Sequence, residues 1–417
     1  GDLAAAVKSV PGVSVQGGKY VYVRGLGDRY TKSILNGMDI PGLDPDRNTI
    51  QMDIFPTNIL DNVIVIKSAA AEYPADFTGG VIDIVTKDFP TRGEYSISLG
   101  AGFNPDMHFN DKYLTYEGSD TDFFGYDDGT RNVPINRYQP IPGTFDVNSG
   151  LLTQLTSRFS EQLRATQESS NPNFDFGITA GKQYDVGEGN KLGYLASFSY
   201  KNSTTFYEDR QDGAFVRDQF DTSNNQLILN RSSIGSEGTN NILLNGLAGV
   251  TFKTDLSKYK FTVMHIQNGE SSGGFFNQNI AQGGGGTGIE PLTKDALLYT
   301  ERSVTNVLLH GTHSFGVDRD WDFNWKISPT FSKVYDKDHR VTPLQESQDG
   351  SFFISPSAST FPIRIWRWLL EESWAGKVDV SKKYTFGNRP AKVKFGGGYT
   401  YKFRDFNVDD FTFETST

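Results

Sequence analysis

VRGLGDRYTKSILNGMDI, residues 23–40, decides the fold together with a second run, ADFTGGVIDIVTK, residues 75–87. The first reads as a strand entering a Gly-Leu-Gly turn, a returning strand, and an Asn-Gly turn at Asn36 and Gly37. Asn-Gly is the strongest short hairpin signal, because both residues tolerate the positive φ that a tight turn between twisted strands demands. The second run opens on a Gly-Gly turn at Gly79 and Gly80 and continues as a β-branched strand over residues 81–86. Between them, Val-Ile-Val-Ile at 63–66 is an apolar run of the kind a sheet buries on both faces. Residues 2–10 predict a short helix stopped by Pro11-Gly12, and residues 56–60 fit one helical turn. Residues 41–48, PGLDPDRN, are too rich in Pro and Asp for regular structure. Phe-Pro and Thr-Arg-Gly over residues 89–93 make a break that separates a first domain, 1–90, from a second, 91–417.

From Glu94 onward the pattern has period two, with one face apolar and aromatic and the other small or polar. Tyr95, Ile97, Leu99, Ala101 and Phe103 set the rule, and Trp321, Phe323, Trp325 and Ile327 repeat it. Further runs lie at 174–180, 192–201, 242–253, 259–267, 299–315, 366–380 and 393–403, giving about nine strands. The 417 residues include 44 Gly, 31 Phe and 19 Tyr, and no apolar run reaches the roughly 18 residues of a spanning helix. Alternating membrane strands escape such hydropathy scans, so this composition suits a membrane β-barrel or a soluble β-protein. Connections divide the two. Short turns at 185–190, 255–258, 317–320 and 385–389 alternate with long connections at about 105–171, 202–239, 269–296 and 335–361. Tight turns alternating with long loops are the mark of an outer-membrane barrel; four structureless connections of this length would be unusual in a soluble sandwich.

The net charge of −10 argues against a nucleic-acid partner, which needs a concentrated basic face. There is no cysteine, which removes disulfides, thiolate metal sites and cysteine nucleophiles together. Gly25 and Gly27 lack the third glycine and following helix of a dinucleotide site, and the Gly283–286 run lacks the Lys-Ser or Lys-Thr of a phosphate loop. His310 and His313 are odd-spaced on a strand and point to opposite faces. Asp120, Asp122 and Gly125 resemble the start of a calcium loop, but Phe124 stands where an oxygen ligand is required, so a solvated acidic loop is the plainer reading. Nothing resembles a catalytic constellation, and neither a cofactor nor a metal is called for.

The order of elements over the first ninety residues resembles the plug domain of a TonB-dependent outer-membrane receptor. The features that carry it are the Arg-Gly strand at Arg24, the Asn-Gly turn, and the Gly-Gly-Val-Ile-Asp-Ile-Val-Thr-Lys strand at 79–87. The resemblance implies an α+β plug inside a transmembrane antiparallel β-barrel. That family closes at 22 strands, so the chain is expected to be part of a longer one, with the family's energy-coupling box upstream. It also implies that Arg24 pairs with barrel acids to latch the plug. The turns expected to face outward carry Asp28, Arg29, Asp44, Asp46, Arg47 and Asn48, the candidates for ligand contact. Implied partners are outer-membrane lipid, a TonB-type inner-membrane energy-coupling protein, and a small or oligomeric nutrient such as a siderophore, cofactor, glycan or peptide. The Asp-Gly-Val-Pro turn common among glycan importers that pair with a lid lipoprotein is absent here, and a surface lipoprotein stays open as a partner. The expected function is TonB-dependent import across the outer membrane of a Gram-negative bacterium; the alternatives are a passive porin or a surface β-protein of adhesion or secretion.

Overall fold

The computed structural model describes residues 3, 7–17, 19–27, 30–44, 51–55, 57–68, 70–73, 76, 78–88, 93–143, 149–217, 223, 225–281, 289–347, 349–354 and 361–414. In the N-terminal part, β1 (Val13–Gln16) pairs with β2 (Tyr20–Val23) in a two-stranded antiparallel sheet. A second, four-stranded sheet has the order β4 (Met38–Asp39), β3 (Thr31–Leu35), β6 (Gly80–Thr86), β5 (Leu60–Ile66). β3 and β6 run parallel, while β4 and β5 are antiparallel to their neighbours. Leu3 and Val7 are helical and pack into the core; the rest of the helix expected at 2–10 lies partly outside the described residues. A short 3-10 turn, Thr57–Ile59, stands where one helical turn was expected.

The Asn-Gly hairpin forms as the sequence predicts: Asn36 and Gly37 have φ of 54° and 76° between β3 and β4. Three other expectations are corrected. The strand before the Gly-Leu-Gly turn does not pair with the one after it; β2 finds β1, because Arg24 and Gly25, at φ 56° and 72°, turn the chain away from β3. The run at 63–66 is not buried on both faces, since β5 is the sheet edge and Ile64 is exposed. The central strand is β6, with Val81, Ile82 and Ile84 fully buried. Nor do Gly79 and Gly80 make a positive-φ turn. A Cβ on Gly80 would stand 2.8 Å from Val23 Cγ1 and 2.9 Å from the Ile66 carbonyl, so glycine is required there for close approach.

The remainder forms one antiparallel sheet of nine long strands: β7 (Glu94–Gly102), β10 (Asn173–Asp185), β11 (Lys191–Arg217), β12 (Leu227–Lys253), β13 (Ser257–Ala281), β14 (Ile289–Phe315), β15 (Trp321–Glu346), β17 (Ile363–Phe386) and β18 (Arg389–Thr412). A two-residue strand, β16 (Phe352–Phe353), pairs with the end of β15. Among the described residues β7 and β18 are the sheet's edges.

One face of the sheet packs on the N-terminal domain. Leu195, Leu243, Leu247, Met264, Ile266, Val304, Val334 and Leu369 share a single core with Val23, Leu35, Phe55, Ile82 and Ile84. That face is called the lumen face below. The opposite face carries exposed Tyr95, Ile97, Leu99, Phe174, Ile178, Leu192, Phe198, Val250, Phe252, Tyr259, Phe261, Trp374 and Val378. An open apolar face of this extent on paired strands is the face a barrel turns to lipid.

The connections expected at 202–239, 269–296 and 335–361 are in large part strand. β11 and β12 are 27 residues each and stay paired to Arg217 and Leu227. At ~3.3 Å per residue and ~40° tilt, 27 residues rise about 65 Å, against an apolar band about 25 Å tall. The upper half therefore stands clear of the membrane. There the steady apolar–polar alternation breaks, as in the run Glu208, Asp209, Arg210, Gln211 and Asp212 and in the apolar run Leu227–Leu229, which is why period two fails to mark these residues as strand. The connection from β7 to β10 remains long and is folded: β8 (Tyr113–Thr115) pairs with β9 (Thr166–Glu168), and one helix, α1 (Ser149–Thr156), lies between.

Candidate functional site: the seam between plug and sheet

Period-two alternation puts a column of bases on the lumen face, and the N-terminal domain meets it with acids. Lys258 pairs with Asp88, and Lys260 lies 3.8 Å from the same carboxylate. Lys402 reaches Asp39 at 3.2 Å, and Lys394 reaches Glu72 at 3.1 Å. Lys377 donates to the Glu72 carbonyl at 2.7 Å, and Arg404 to the Asp44 carbonyl at 3.4 Å. One contact has the opposite polarity: Lys19 of the N-terminal domain meets Glu270 of β13 at 2.6 Å, with Arg302 3.7 Å from that carboxylate. Most of these pairs are partly exposed, so each contributes roughly 0.2–1 kcal/mol. These partly exposed contacts surround the apolar core that the domain shares with the wall.

A further contact is at the Asn-Gly turn. Lys326 of β15 donates to the Asn36 carbonyl at 2.7 Å. The Gly37 N–H donates to Asp83 at 2.9 Å, and the Asn36 side-chain oxygen accepts from the Thr86 N–H at 3.0 Å. The turn is thus pinned to the central strand behind it and to the sheet wall in front. Burial pushes the Asp83 carboxyl above its usual range, while the Gly37 N–H and Lys326 pull it back. Also within the domain, Asp53 is raised, chiefly by burial, with Lys19 and Arg302 opposing; its Oδ1 has no hydrogen-bond partner among the described residues.

Two openings lie along this seam. A cavity of about 410 Å³ is lined by Thr31, Ser33, Asp39, Asp76, Glu371, Lys402 and Arg404. A larger one, about 1100 Å³, separates Met38, Ala70, Glu72 and Tyr73 from Lys377, Lys394, Gly397 and Tyr399.

Of the residues chosen from sequence, Arg24 is exposed, and its N–H donates to the Gly12 carbonyl at 2.8 Å. Among the described residues it forms no ion pair with the sheet. Most ion pairs across the seam put the base on the wall and the acid on the N-terminal domain, while Lys19 with Glu270 has the polarity expected of the latch. Asp44 is half-buried; its carboxylate accepts from the Tyr20 hydroxyl and its carbonyl from Arg404. Burial and that carboxylate raise the Tyr20 phenol. Asp28, Arg29, Asp46, Arg47 and Asn48 lie outside the described residues. Sequence reasoning missed the wall lysines, although Lys258 and Lys260, Lys392 and Lys394, and Lys402 and Arg404 all stand two apart, a spacing that puts each pair on one face. Asp122, weighed as a calcium ligand, is bound bidentately by Arg131 at 2.6 and 2.8 Å.

Residues 1–81 match the family model of the TonB-dependent receptor plug domain. These residues are a plug domain of the kind that outer-membrane TonB-dependent receptors carry. No curated protein matches the sequence. Solved structures similar to the chain include the unliganded ferric citrate transporter FecA, at 10% identity and a TM-score of 0.28, with 96% of this chain and 71% of that one covered. The outer-membrane transporter YddB from Escherichia coli is 11% identical, with a TM-score of 0.29 and coverage of 98% and 55%. The RagAB peptide importer in its closed-closed state is 12% identical, with a TM-score of 0.33 and coverage of 95% and 55%. The chain spans between 55% and 71% of the length of these three.

Proposed function

We propose that the receptor imports a scarce nutrient by plug-gated, energised transport, with residues 1–90 acting as the gate and residues 91–417 as part of the wall. The observation that carries this reading is the seam. The plug shares one apolar core with the wall, and around that core it is fastened by partly exposed ion pairs, beside a cavity of about 1100 Å³. Such contacts break one at a time under a pulling force, while the plug's own sheet persists. A TonB-type protein of the inner membrane would supply the force. Asp28, Arg29, Asp44, Asp46, Arg47 and Asn48 would meet the ligand first, with Asp44 linking that contact to Arg404 of the wall. Siderophore, cofactor, glycan and peptide cargoes all fit the reading.

The test is uptake by cells producing the receptor, with and without the energy-coupling protein, across a panel of those four nutrient classes. Import that requires both proteins supports the proposal. Uptake that persists without the coupling protein points to a passive pore. Replacing residues 28–29 and 44–48 by Gly-Ser should abolish ligand binding while leaving the receptor in the membrane.

A further inference from the structure

The connection between β7 and β10 folds back onto the outward face of the sheet, above the lipid-facing band. Its grip is built from buried polar contacts. Gln267 donates to the Gly125 carbonyl at 2.6 Å, Tyr200 to the Phe123 carbonyl at 2.8 Å, and Trp366 to the Arg131 carbonyl at 2.8 Å. The Arg131 side chain is buried against Asp122 and Asp127, and its guanidinium lies over the Tyr299 ring at 4.1 Å.

The height at which this connection sits decides its role. Membrane barrels carry an aromatic girdle at each interface. Here the lower girdle includes Tyr95, Tyr184, Tyr259, Trp321 and Tyr384, next to the short turns. About ten residues up each strand, roughly 25 Å at ~40° tilt, lies the upper interface. At the two flanks the strands supply its rings, Phe174 on one side and the Phe331–Trp374 pair on the other. In the middle of the sheet the outward positions at that height are His265, Gln267 and Thr305, with His265 Nδ1 2.8 Å from the Thr305 hydroxyl. These polar residues are the ones the connection covers, through Gly125 and the Tyr126 hydroxyl, 3.4 Å from His265 Nε2.

On its outer side the connection presents rings. Phe123 and Phe124 are each 52% exposed and lie 5.3 Å apart, and Phe123 continues into the stack of Phe174 and Tyr200. Phe109, in a left-handed conformation at φ 55°, is held beside Phe103 at 5.9 Å. A bulky residue in that strained region, turned outward, needs a reason other than local packing. We propose that Phe109, Phe123 and Phe124 complete the upper girdle, so that the first extracellular connection is anchored in the outer-leaflet lipid interface and closes a gap the strands leave. The occupant is lipid, because the rings are continuous with the lipid-facing surface through Phe103 and Phe174. This rests on the outer-membrane reading.

The chain has no cysteine, so single spin labels can be placed cleanly. Labels at Phe109→Cys, Phe124→Cys, Leu99→Cys and Tyr138→Cys in the intact receptor, in vesicles of outer-membrane lipid, report oxygen against aqueous nickel-chelate accessibility. Leu99 stands in the middle of the lipid face, and Tyr138, 88% exposed, on the far part of the same connection. Labels at 109 and 124 should favour oxygen several-fold over the label at 138. If 99 is lipid-like while 109 and 124 match 138, the inference is overturned and the membrane reading stands. If 99 is also water-like, the membrane reading itself fails.

Discussion

Replacing Lys326 by Met should loosen the plug more than any other single change on the wall. The Lys326 ammonium donates to the Asn36 carbonyl and faces Asp83, which is only 8% exposed and otherwise relies on the Gly37 N–H. Losing a charged donor beside a buried carboxylate costs about 1–3 kcal/mol. With a urea m-value of about 1 kcal/mol/M for a domain of the plug's size, its unfolding midpoint should fall by about 1–3 M. Lys402→Met removes a 3.2 Å pair, but the lysine is 41% exposed, so the loss is about 0.2–1 kcal/mol and the shift at most about 1 M. Hydrogen exchange of the β6 amides at rising urea reads the plug apart from the barrel strands. Equal shifts in the two variants, or a larger one for Lys402→Met, would refute the assignment of the Asn-Gly turn as the principal fastening.

Gly80→Ala should destabilise the plug by about 1–3 kcal/mol, because the new methyl collides with Val23 and the Ile66 carbonyl; the β6 exchange assay reads this too. Arg131→Met should free the first extracellular connection without unfolding the barrel. It leaves the fully buried Asp127 carboxylate with Lys337 alone, at 3.5 Å, a loss of up to about 3–5 kcal/mol visible as protease cleavage within residues 103–172. The contribution of Asp53 to plug docking should weaken as pH rises through its raised carboxyl pKa. The Asp53 pKa is raised in the folded state, so its favourable contribution is present below the unfolded value and is lost as pH passes the folded one. Asp53→Asn should flatten that dependence in a midpoint-versus-pH series.

The barrel strands were legible within the membrane because lipid on one face and plug on the other impose strict alternation, as at Tyr95, Ile97 and Leu99. The Asn-Gly hairpin was legible because its requirement for positive φ is local. What escaped was set by distant partners. Period two does not mark the upper halves of β11 to β17, where both faces meet water or protein. The edge position of β5 depends on the sheet's order, which Val-Ile-Val-Ile cannot announce. Arg24 was chosen as the latch by family pattern, whereas the contacts seen across the seam are made by lysines 258, 326, 377, 394 and 402, whose carboxylate and carbonyl partners are brought opposite only by insertion of the plug. The outward turn of the first connection depends on contacts such as Gln267 to Gly125, more than a hundred residues apart in sequence.

The central claim is that the plug must leave its seat for cargo to pass, and a reducible cross-link across the seam tests it most directly. Asp39→Cys with Lys402→Cys, joined by a disulfide-containing bis-maleimide that spans the gap left by the 3.2 Å lysine–aspartate pair, supplies it. Locked cells should bind ligand normally but stop importing it, and import should return when the bond is reduced. Import at the full rate with the bond intact would contradict the account.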